Sequence, residues 1–132
     1  MAKVALIVED EIFVALDLER ILEDAGYEVA GIAADSVSAL EAAPGCSFAF
    51  VDVNLRDGPT GPQIAHRLVQ DFGVKVVFVT ANPAQIAEPD GALGYIRKPF
   101  SEEAILAAAL TATTVEPVEI CNNDFVRWRP HG

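Results

Sequence analysis

The chain has few cysteines and few basic residues. Two cysteines, Cys46 and Cys121, stand far apart among 132 residues, so neither a disulfide framework nor a paired-cysteine metal site is expected. Nine lysines and arginines face twenty acidic residues, and the formal charge of -11 would repel a phosphate backbone. These scarcities argue against a small disulfide-stabilised protein and against direct binding of nucleic acid.

The chain also lacks a long hydrophobic stretch. No apolar run approaches the roughly 18 residues that a membrane span needs, and the start, Met1-Ala2-Lys3, shows no charged and apolar leader. We therefore expect a cytoplasmic protein without membrane insertion. At 132 residues the chain has the length of one domain, which buries roughly two-thirds of the surface of the unfolded chain.

What the sequence has instead is a series of short apolar runs. They lie at residues 4–8, 27–33, 48–51, 76–79 and 95–96. Runs rich in Val, Ile and Phe are typical of strands buried on both faces of a parallel sheet. Apolar residues at helical spacing predict helices over 14–25, 36–43, 60–72 and 101–113, with Thr60 as part of a capping box. The alternation predicts an open α/β fold built from five βα units.

Polar side chains follow these predicted strands at the point where each strand ends. They are Glu9 and Asp10 after the first, Asp52 after the third, Thr80 after the fourth and Lys98 after the fifth. Because the carboxyl ends of parallel strands gather along one edge of a sheet, the five side chains are expected to converge there. Three carboxylates would repel one another at such a place unless a hard divalent cation, Mg²⁺ or Mn²⁺, lay among them.

The same set suits phosphoryl chemistry. Asp52 is the candidate nucleophile toward a phosphoryl group, Lys98 offers a positive charge for the phosphoryl oxygens, and Thr80 offers a hydrogen bond. A solvated carboxylate at a strand end is the ordinary interpretation of any one of these positions. It does not account for all five together.

Five short motifs together resemble the receiver domain of two-component response regulators. They are Val8-Glu9-Asp10-Glu11, Val51-Asp52-Val53-Asn54-Leu55, Val79-Thr80-Ala81, Gly91-Ala92-Leu93-Gly94-Tyr95 and Lys98-Pro99-Phe100. The resemblance covers residues 3 to about 113. It implies a stand-alone receiver with a flavodoxin-like, doubly wound fold, in which five parallel strands in the order 2-1-3-4-5 carry helices on both faces.

The resemblance also implies a role for the acidic residues. Asp52 would accept a phosphoryl group from a histidine kinase or a histidine phosphotransfer protein. Glu9, Asp10, Asp52 and the backbone carbonyl of Asn54 would hold Mg²⁺. The protein would catalyse only its own phosphorylation and dephosphorylation, and would otherwise not be an enzyme.

A switch is implied by the remaining motif residues. The Thr80 hydroxyl and the Lys98 ammonium would bind the phosphoryl group, and the aromatic ring of Tyr95 would follow Thr80 when it moves inward. The peptide bond between Lys98 and Pro99 would be cis, which proline permits at small cost.

Two stretches depart from the pattern of the family. The connection from Thr80 to Lys98 is several residues shorter than usual and contains prolines, which predicts a truncated or absent fourth helix. Residues 1–114 are expected to form the receiver domain, and residues 115–132 a tail with no separate output domain. Phe125 and Trp128 in the tail are expected to pack either on the domain itself or at a partner or homodimer contact.

Two alternatives remain open from the sequence. A phosphatase of the haloacid-dehalogenase type also combines an aspartate nucleophile with Mg²⁺, but it needs a second carboxylate where Asn54 stands. The other alternative is a receiver module excised from a hybrid histidine kinase. The sequence names neither the cognate kinase nor the downstream target. It also leaves open whether the phosphorylated form binds a partner or acts as a shuttle or sink for phosphoryl groups.

Overall fold

The computed structural model describes residues 3–86, 91–114 and 122–128. The strands are β1 (Val4–Val8), β2 (Glu28–Ala33), β3 (Phe48–Val51), β4 (Lys75–Thr80), β5 (Gly94–Arg97) and β6 (Phe125–Arg127). The helices are α1 (Ile12–Asp24), α2 (Ser36–Ala42), α3 (Gly61–Phe72) and α4 (Glu102–Thr113). Strands and helices alternate through most of the described chain, as the apolar pattern predicts.

The strands form one sheet in the order β2-β1-β3-β4-β5-β6. The first five in the chain pair in parallel, which confirms the predicted flavodoxin-like order. The prediction of five strands is incomplete, because β6 adds to β5 in the antiparallel direction and makes the sheet mixed. A strand of three residues is too short to show a clear alternation in the sequence. Its pairing covers the edge of β5, whose backbone groups would otherwise lack partners on that side.

Helices cover both faces of the sheet. Helices α1 and α4 contact each other on one face, and α2 and α3 contact each other on the other. All four residues of β3 are buried, as expected for a strand with helices on both sides. Its side chains alternate between two apolar clusters, with Phe48 and Phe50 on the α1–α4 face and Val51 on the α2–α3 face.

Local signals set several of the helix ends. Asp35 caps α2, since its carboxylate accepts a hydrogen bond from the Ser38 amide at 2.9 Å. Gly73 ends α3 with φ of 66°, the left-handed conformation that glycine adopts without strain. The predicted capping box at Thr60 is wrong. Thr60 has φ of -91° and ψ of -6° instead of an extended backbone, and its hydroxyl donates to Asp57 Oδ1 at 2.6 Å.

The connection between β4 and β5 differs from the other crossovers of the parallel strands. Its described residues contain one turn of 3-10 helix, Pro83–Gln85, and residues 87–90 lie outside the described part. The shortest α-helix among the other crossovers, α2, has seven residues. The described part of this connection therefore agrees with the predicted truncation of the fourth helix.

Among the residues that the structure describes, no helix combines the length and the apolar character needed to cross a bilayer. Cys46 is a free thiol, as predicted, and Cys121 lies outside the described residues. The predicted domain boundary near residue 114 falls just before residues 115–121, which also lie outside the described part.

Candidate functional site

The carboxyl ends of four adjacent strands bring the five predicted side chains to one edge of the sheet. They come from Glu9 and Asp10 after β1, Asp52 after β3, Thr80 at the end of β4 and Lys98 after β5. A cleft of about 240 Å³ opens at this edge and is lined by Asp10, Glu11, Asp52, Asn54, Thr80, Ala81, Asn82 and Lys98. The parallel topology accounts for the convergence, because each crossover returns the chain to the same direction.

Asp52 lies at the bottom of this edge and is only 7% exposed. Its Oδ1 accepts a hydrogen bond from the Val53 amide at 2.7 Å, and its Oδ2 accepts one from Lys98 Nζ at 2.9 Å. Gly61 packs against the same turn, where a Cβ would come within 2.1 Å of the Asp52 carbonyl oxygen. The start of α3 can therefore approach the backbone of Asp52 only because residue 61 has no side chain.

Lys98 is the cation of the site. Its Nζ lies 2.6 Å from Glu9 Oε1, 2.9 Å from Asp52 Oδ2 and 4.0 Å from Glu11 Oε2. Burial opposes its charge, but the hydrogen bonds to Glu9 and Asp52 outweigh burial and raise the pKa of the ammonium. The following peptide bond, to Pro99, is cis as predicted. Lys98 thus holds a full positive charge between two nearly buried carboxylates.

Glu9 is the most deeply placed of the acidic side chains, with 2% exposure. Burial and the nearby charge of Asp52 raise the pKa of Glu9 to about 7, although Lys98 works in the opposite direction. Its Oε2 accepts a hydrogen bond from the Glu11 amide at 3.2 Å. Its Oε1 lies 2.6 Å from Lys98 Nζ as a buried ion pair, and no second partner of that oxygen is found among the described residues.

Glu9, Asp10 and Asp52 form a cluster of possible metal ligands. Each offers one carboxylate oxygen, and these oxygens lie within 4.8 Å of one another. Glu9 and Asp52 are buried, whereas Asp10 is exposed toward the cleft. Hard carboxylate oxygens together with room for water are what Mg²⁺ prefers, so the residues present fit the predicted ion.

The two predicted switch residues are placed differently. Thr80 is fully buried at the edge of the cleft, and its hydroxyl oxygen accepts a hydrogen bond from the Asn82 amide at 3.0 Å. Tyr95 lies outside the cleft lining, half-buried on the α2–α3 face of the sheet, where its ring centroid is 5.5 Å from that of Trp128. The ring of Tyr95 therefore packs against the C-terminal segment.

Asn54 lies on the exposed rim of the cleft. Its side-chain amide donates a hydrogen bond to Gln85 Oε1 at 2.8 Å, which links the loop after β3 to the turn after β4. Gln85, Asn82 and Glu11 were not identified from the sequence. Glu11 follows the acidic pair directly and could have been found by its position, but nothing in the sequence pairs residue 54 with residue 85.

Asp57 is an acidic residue of the same loop that serves a different purpose. Its carboxylate accepts hydrogen bonds from the hydroxyls of Thr60 and Ser36, at 2.6 and 2.7 Å, and from the Ser36 amide at 3.2 Å. These bonds lower the pKa of Asp57 to about 2. Asp57 thereby connects the loop after β3 to the start of α2 and is not part of the cleft lining.

An apolar cleft of about 540 Å³ adjoins the polar one. It is lined by Glu11, Phe13, Val14, Asp17, Ala81, Lys98, Pro99 and Phe100. Phe13 is 85% exposed on the first turn of α1, an unusual position for a side chain of this size. A molecule that reaches Asp52 from this side therefore meets an apolar rim.

The chain belongs to the response regulator receiver domain family, whose family model matches residues 5–110. It is 36% identical over 121 residues to the phyllosphere-induced regulator PhyR of Methylorubrum extorquens, across 83% of this chain and 44% of that protein. It is 32% identical over 108 residues to the transcriptional regulatory protein PdtaR of Mycobacterium tuberculosis, across 78% and 53%. The chain thus spans about half the length of these two relatives.

Solved structures give the same assignment. The solution structure of the Erythrobacter litoralis PhyR receiver domain superposes with a TM-score of 0.78 at 27% identity, covering 90% of this chain and 97% of that one. The CheY-like receiver of Methanospirillum hungatei superposes with a TM-score of 0.71 at 28% identity, covering 80% and 89%. The fold, the family match and the relatives agree on a phosphoacceptor role in two-component signalling. They give no support to the phosphatase alternative.

Proposed function

We propose that Asp52 is the residue of this receiver that accepts the phosphoryl group. The observation that carries the proposal is the position of its carboxylate at the end of β3, with Oδ1 on the Val53 amide and Oδ2 on Lys98 Nζ. Both oxygens are held, so the nucleophile is oriented before a donor arrives. No other carboxylate of the cleft lining is both nearly buried and hydrogen-bonded to the lysine.

The phosphoryl group would come from a phosphorylated histidine of a kinase or a phosphotransfer protein. An oxygen of Asp52 attacks phosphorus, the P–N bond to the imidazole breaks, and the imidazole nitrogen keeps the bonding electron pair. Lys98 neutralises charge on the phosphoryl oxygens, and the Thr80 hydroxyl, whose oxygen accepts a hydrogen bond from the Asn82 amide, donates to one of them. Positioning and charge therefore supply the catalysis.

Glu9, Asp10, Asp52 and the backbone carbonyl of Asn54 would hold a Mg²⁺ ion. When bound, the ion supplies positive charge that offsets the mutual repulsion of the carboxylates and of the incoming phosphoryl oxygens. The spacing of the three carboxylates and the exposure of Asp10 toward the cleft support this assignment.

The donor protein would contact the apolar cleft beside the site. Phe13, Pro99 and Phe100 border the approach to Asp52 from the α1 side, and Phe13 in particular is almost fully exposed. A histidine presented by a folded partner must bring neighbouring surface against these residues, and apolar side chains at the centre of a contact contribute most of its stability.

The consequence of phosphorylation would be a change in partner binding, or transfer of the group through this domain as a shuttle or sink. A solved structure of Bartonella quintana PhyR is described as an anti-anti-sigma factor, but this chain covers 48% of that protein at 26% identity. That activity belongs to the longer protein. A histidine kinase or a histidine phosphotransfer protein as the donor, a homodimer and the cytoplasmic location are predictions from the sequence.

Transfer from a histidine donor tests the assignment. Radiolabelled phosphoryl groups should pass to the wild-type chain in the presence of Mg²⁺, whereas Asp52→Asn should retain no label, because an amide is a far poorer nucleophile than a carboxylate. Asp57→Asn is the matched control. It removes the same charge from the same loop, but the Asp57 carboxylate is engaged by Ser36 and Thr60. Wild-type labelling of Asp52→Asn, at whatever residue, would contradict the proposal.

A further inference from the structure

The surface left by the short connection between β4 and β5 is covered by the C-terminal segment. Phe78 of β4 and Tyr95 of β5 are partners in the sheet register. The ring of Trp128 contacts both, with centroid distances of 6.2 Å to Phe78 and 5.5 Å to Tyr95. The Trp128 amide also donates to the Leu93 carbonyl at 2.9 Å. Trp128 therefore covers part of the α2–α3 face of the sheet, next to the short connection between β4 and β5.

Strand β6 holds Trp128 in this place. It approaches β5 so closely that a Cβ on Gly94 would come within 2.1 Å of the Val126 carbonyl oxygen. Phe125 lies on the opposite face of the sheet, 4% exposed among the residues that α1 and α4 cover. Residues 125–128 thus extend across the sheet edge, with one aromatic ring in each apolar cluster.

The attachment is nevertheless small. The strand has three residues, and two of them, Val126 and Arg127, are exposed. A short edge strand with few buried side chains belongs to the part of a fold that opens at low cost in free energy. The segment is therefore suited to respond to a change in the strands beneath it.

The same two strands carry the groups that would bind the phosphoryl group. Thr80 lies two residues beyond Phe78 in β4, and alternate residues of a strand share a face of the sheet. Lys98 lies three residues beyond Tyr95, just past the end of β5. A phosphoryl group on Asp52 that attracts the Thr80 hydroxyl and the Lys98 ammonium acts directly on the strands that Trp128 covers.

We propose that residues 122–128 form a cover over Phe78 and Tyr95 that is seated in the unphosphorylated protein and loosened when Asp52 is phosphorylated. The proposal rests on the proposed function of Asp52 and adds a regulated element to it. Since coupling between two sites is reciprocal, loosening the cover by mutation must favour phosphorylation. The cover would then be the region in which the chain reports its state to a partner.

The intrinsic fluorescence of the 132-residue chain tests the proposal, because Trp128 is its single tryptophan. Phosphoramidate and Mg²⁺ are added, and the phosphorylated fraction is read by intact-protein mass in the same samples. We expect a red shift of the emission and stronger quenching by acrylamide, both in proportion to that fraction. If phosphorylation were complete and the Trp128 emission unchanged, the proposal that the cover loosens would be wrong, whereas the proposed role of Asp52 would stand. Failure to gain phosphoryl mass would overturn both.

A pair of variants tests the reciprocal effect without relying on fluorescence. In an isothermal titration with beryllium fluoride, a phosphoryl mimic that binds reversibly in the presence of Mg²⁺, Trp128→Ala should raise the affinity roughly twofold to tenfold, which is what one aromatic contact is worth. Val126→Ala is the control, because it truncates an exposed side chain of the same strand. Circular dichroism checks that Trp128→Ala is folded. If the two variants changed by the same factor, or if folded Trp128→Ala did not differ from wild type, the proposal would be contradicted.

Discussion

The two halves of the sheet differ in how their strands are covered. In the β1–β3 half, residues 4–72, each strand is followed by an α-helix, and the strand ends carry Glu9, Asp10 and Asp52. In the β4–β6 half, residues 75–128, the first connection has one described helical turn, and Trp128 covers the adjacent surface. The β1–β3 half thus holds the acidic groups of the site, and the β4–β6 half holds Thr80, Lys98 and the segment that we propose responds to phosphorylation. Substitutions in one half should therefore have effects that can be distinguished from those of substitutions in the other half.

The largest expected difference between the halves concerns the metal. Asp10→Ala should weaken Mg²⁺ binding at least about fivefold, because a unit charge about 4 Å away is worth roughly 1 to 4 kcal/mol between water and a partly screened site. Val126→Ala in the other half should leave the affinity unchanged. Isothermal titration with Mg²⁺ measures both. An unaltered affinity in Asp10→Ala would show that Asp10 is not a ligand, and the same result in Asp52→Ala as well would place the ion elsewhere.

Two glycines, one in each half, separate phosphorylation from the cover. A Cβ would lie 2.1 Å from the Asp52 carbonyl oxygen at Gly61 and 2.1 Å from the Val126 carbonyl oxygen at Gly94. Either change to alanine should cost roughly 1 to 3 kcal/mol in the free energy of unfolding, since backbone must move.

Their effects on function should differ. Gly61→Ala displaces the turn of Asp52 and should slow phosphorylation, whereas Gly94→Ala displaces β6 and should increase acrylamide quenching of Trp128 while the protein remains competent for phosphorylation. Urea denaturation, phosphorylation kinetics and quenching measure the three quantities. If both variants lost phosphorylation to the same degree, the halves would not be separable in this way.

The smallest expected effect is a pH dependence of the free energy of unfolding, which comes from Glu9 in the β1–β3 half. The pKa of Glu9 is raised from 4.5 to about 7 in the folded protein. A carboxyl with a raised folded pKa binds its proton more tightly when folded, so its stabilising contribution is complete below pH 4.5 and is lost as the pH rises through about 7. Glu9→Gln cannot ionise and avoids this loss.

In buffer without Mg²⁺, the free energy of unfolding of Glu9→Gln minus that of wild type should therefore rise by roughly 1 to 2 kcal/mol between about pH 5 and about pH 8. Urea denaturation at a series of pH values measures the difference. A difference that stays constant over this range would show that burial of Glu9 does not perturb its ionisation.

Much of the structure of the β1–β3 half can be predicted from the sequence. The runs at residues 4–8 and 48–51 predict buried parallel strands, and Asp52 follows its strand directly. These features are local, because a strand needs only a short apolar run and the carboxyl-edge rule then places its last residue. The lysine at residue 98 is predicted in the same way, since it follows the last parallel strand.

The remaining features were decided by tertiary contacts between distant segments. Strand β6 is visible only beside the open edge of β5, the bond between Asn54 and Gln85 joins residues 31 apart, and Thr60 serves Asp57 instead of a helix cap. The pKa of Glu9 likewise depends on burial, which cannot be predicted from the residues around position 9 alone. The sequence by itself determined which strands form and which chemical groups stand at their ends, because these depend on neighbouring residues. The tertiary structure decided what covers the short connection and how strongly each charge is held, because both depend on which surfaces the fold brings into contact.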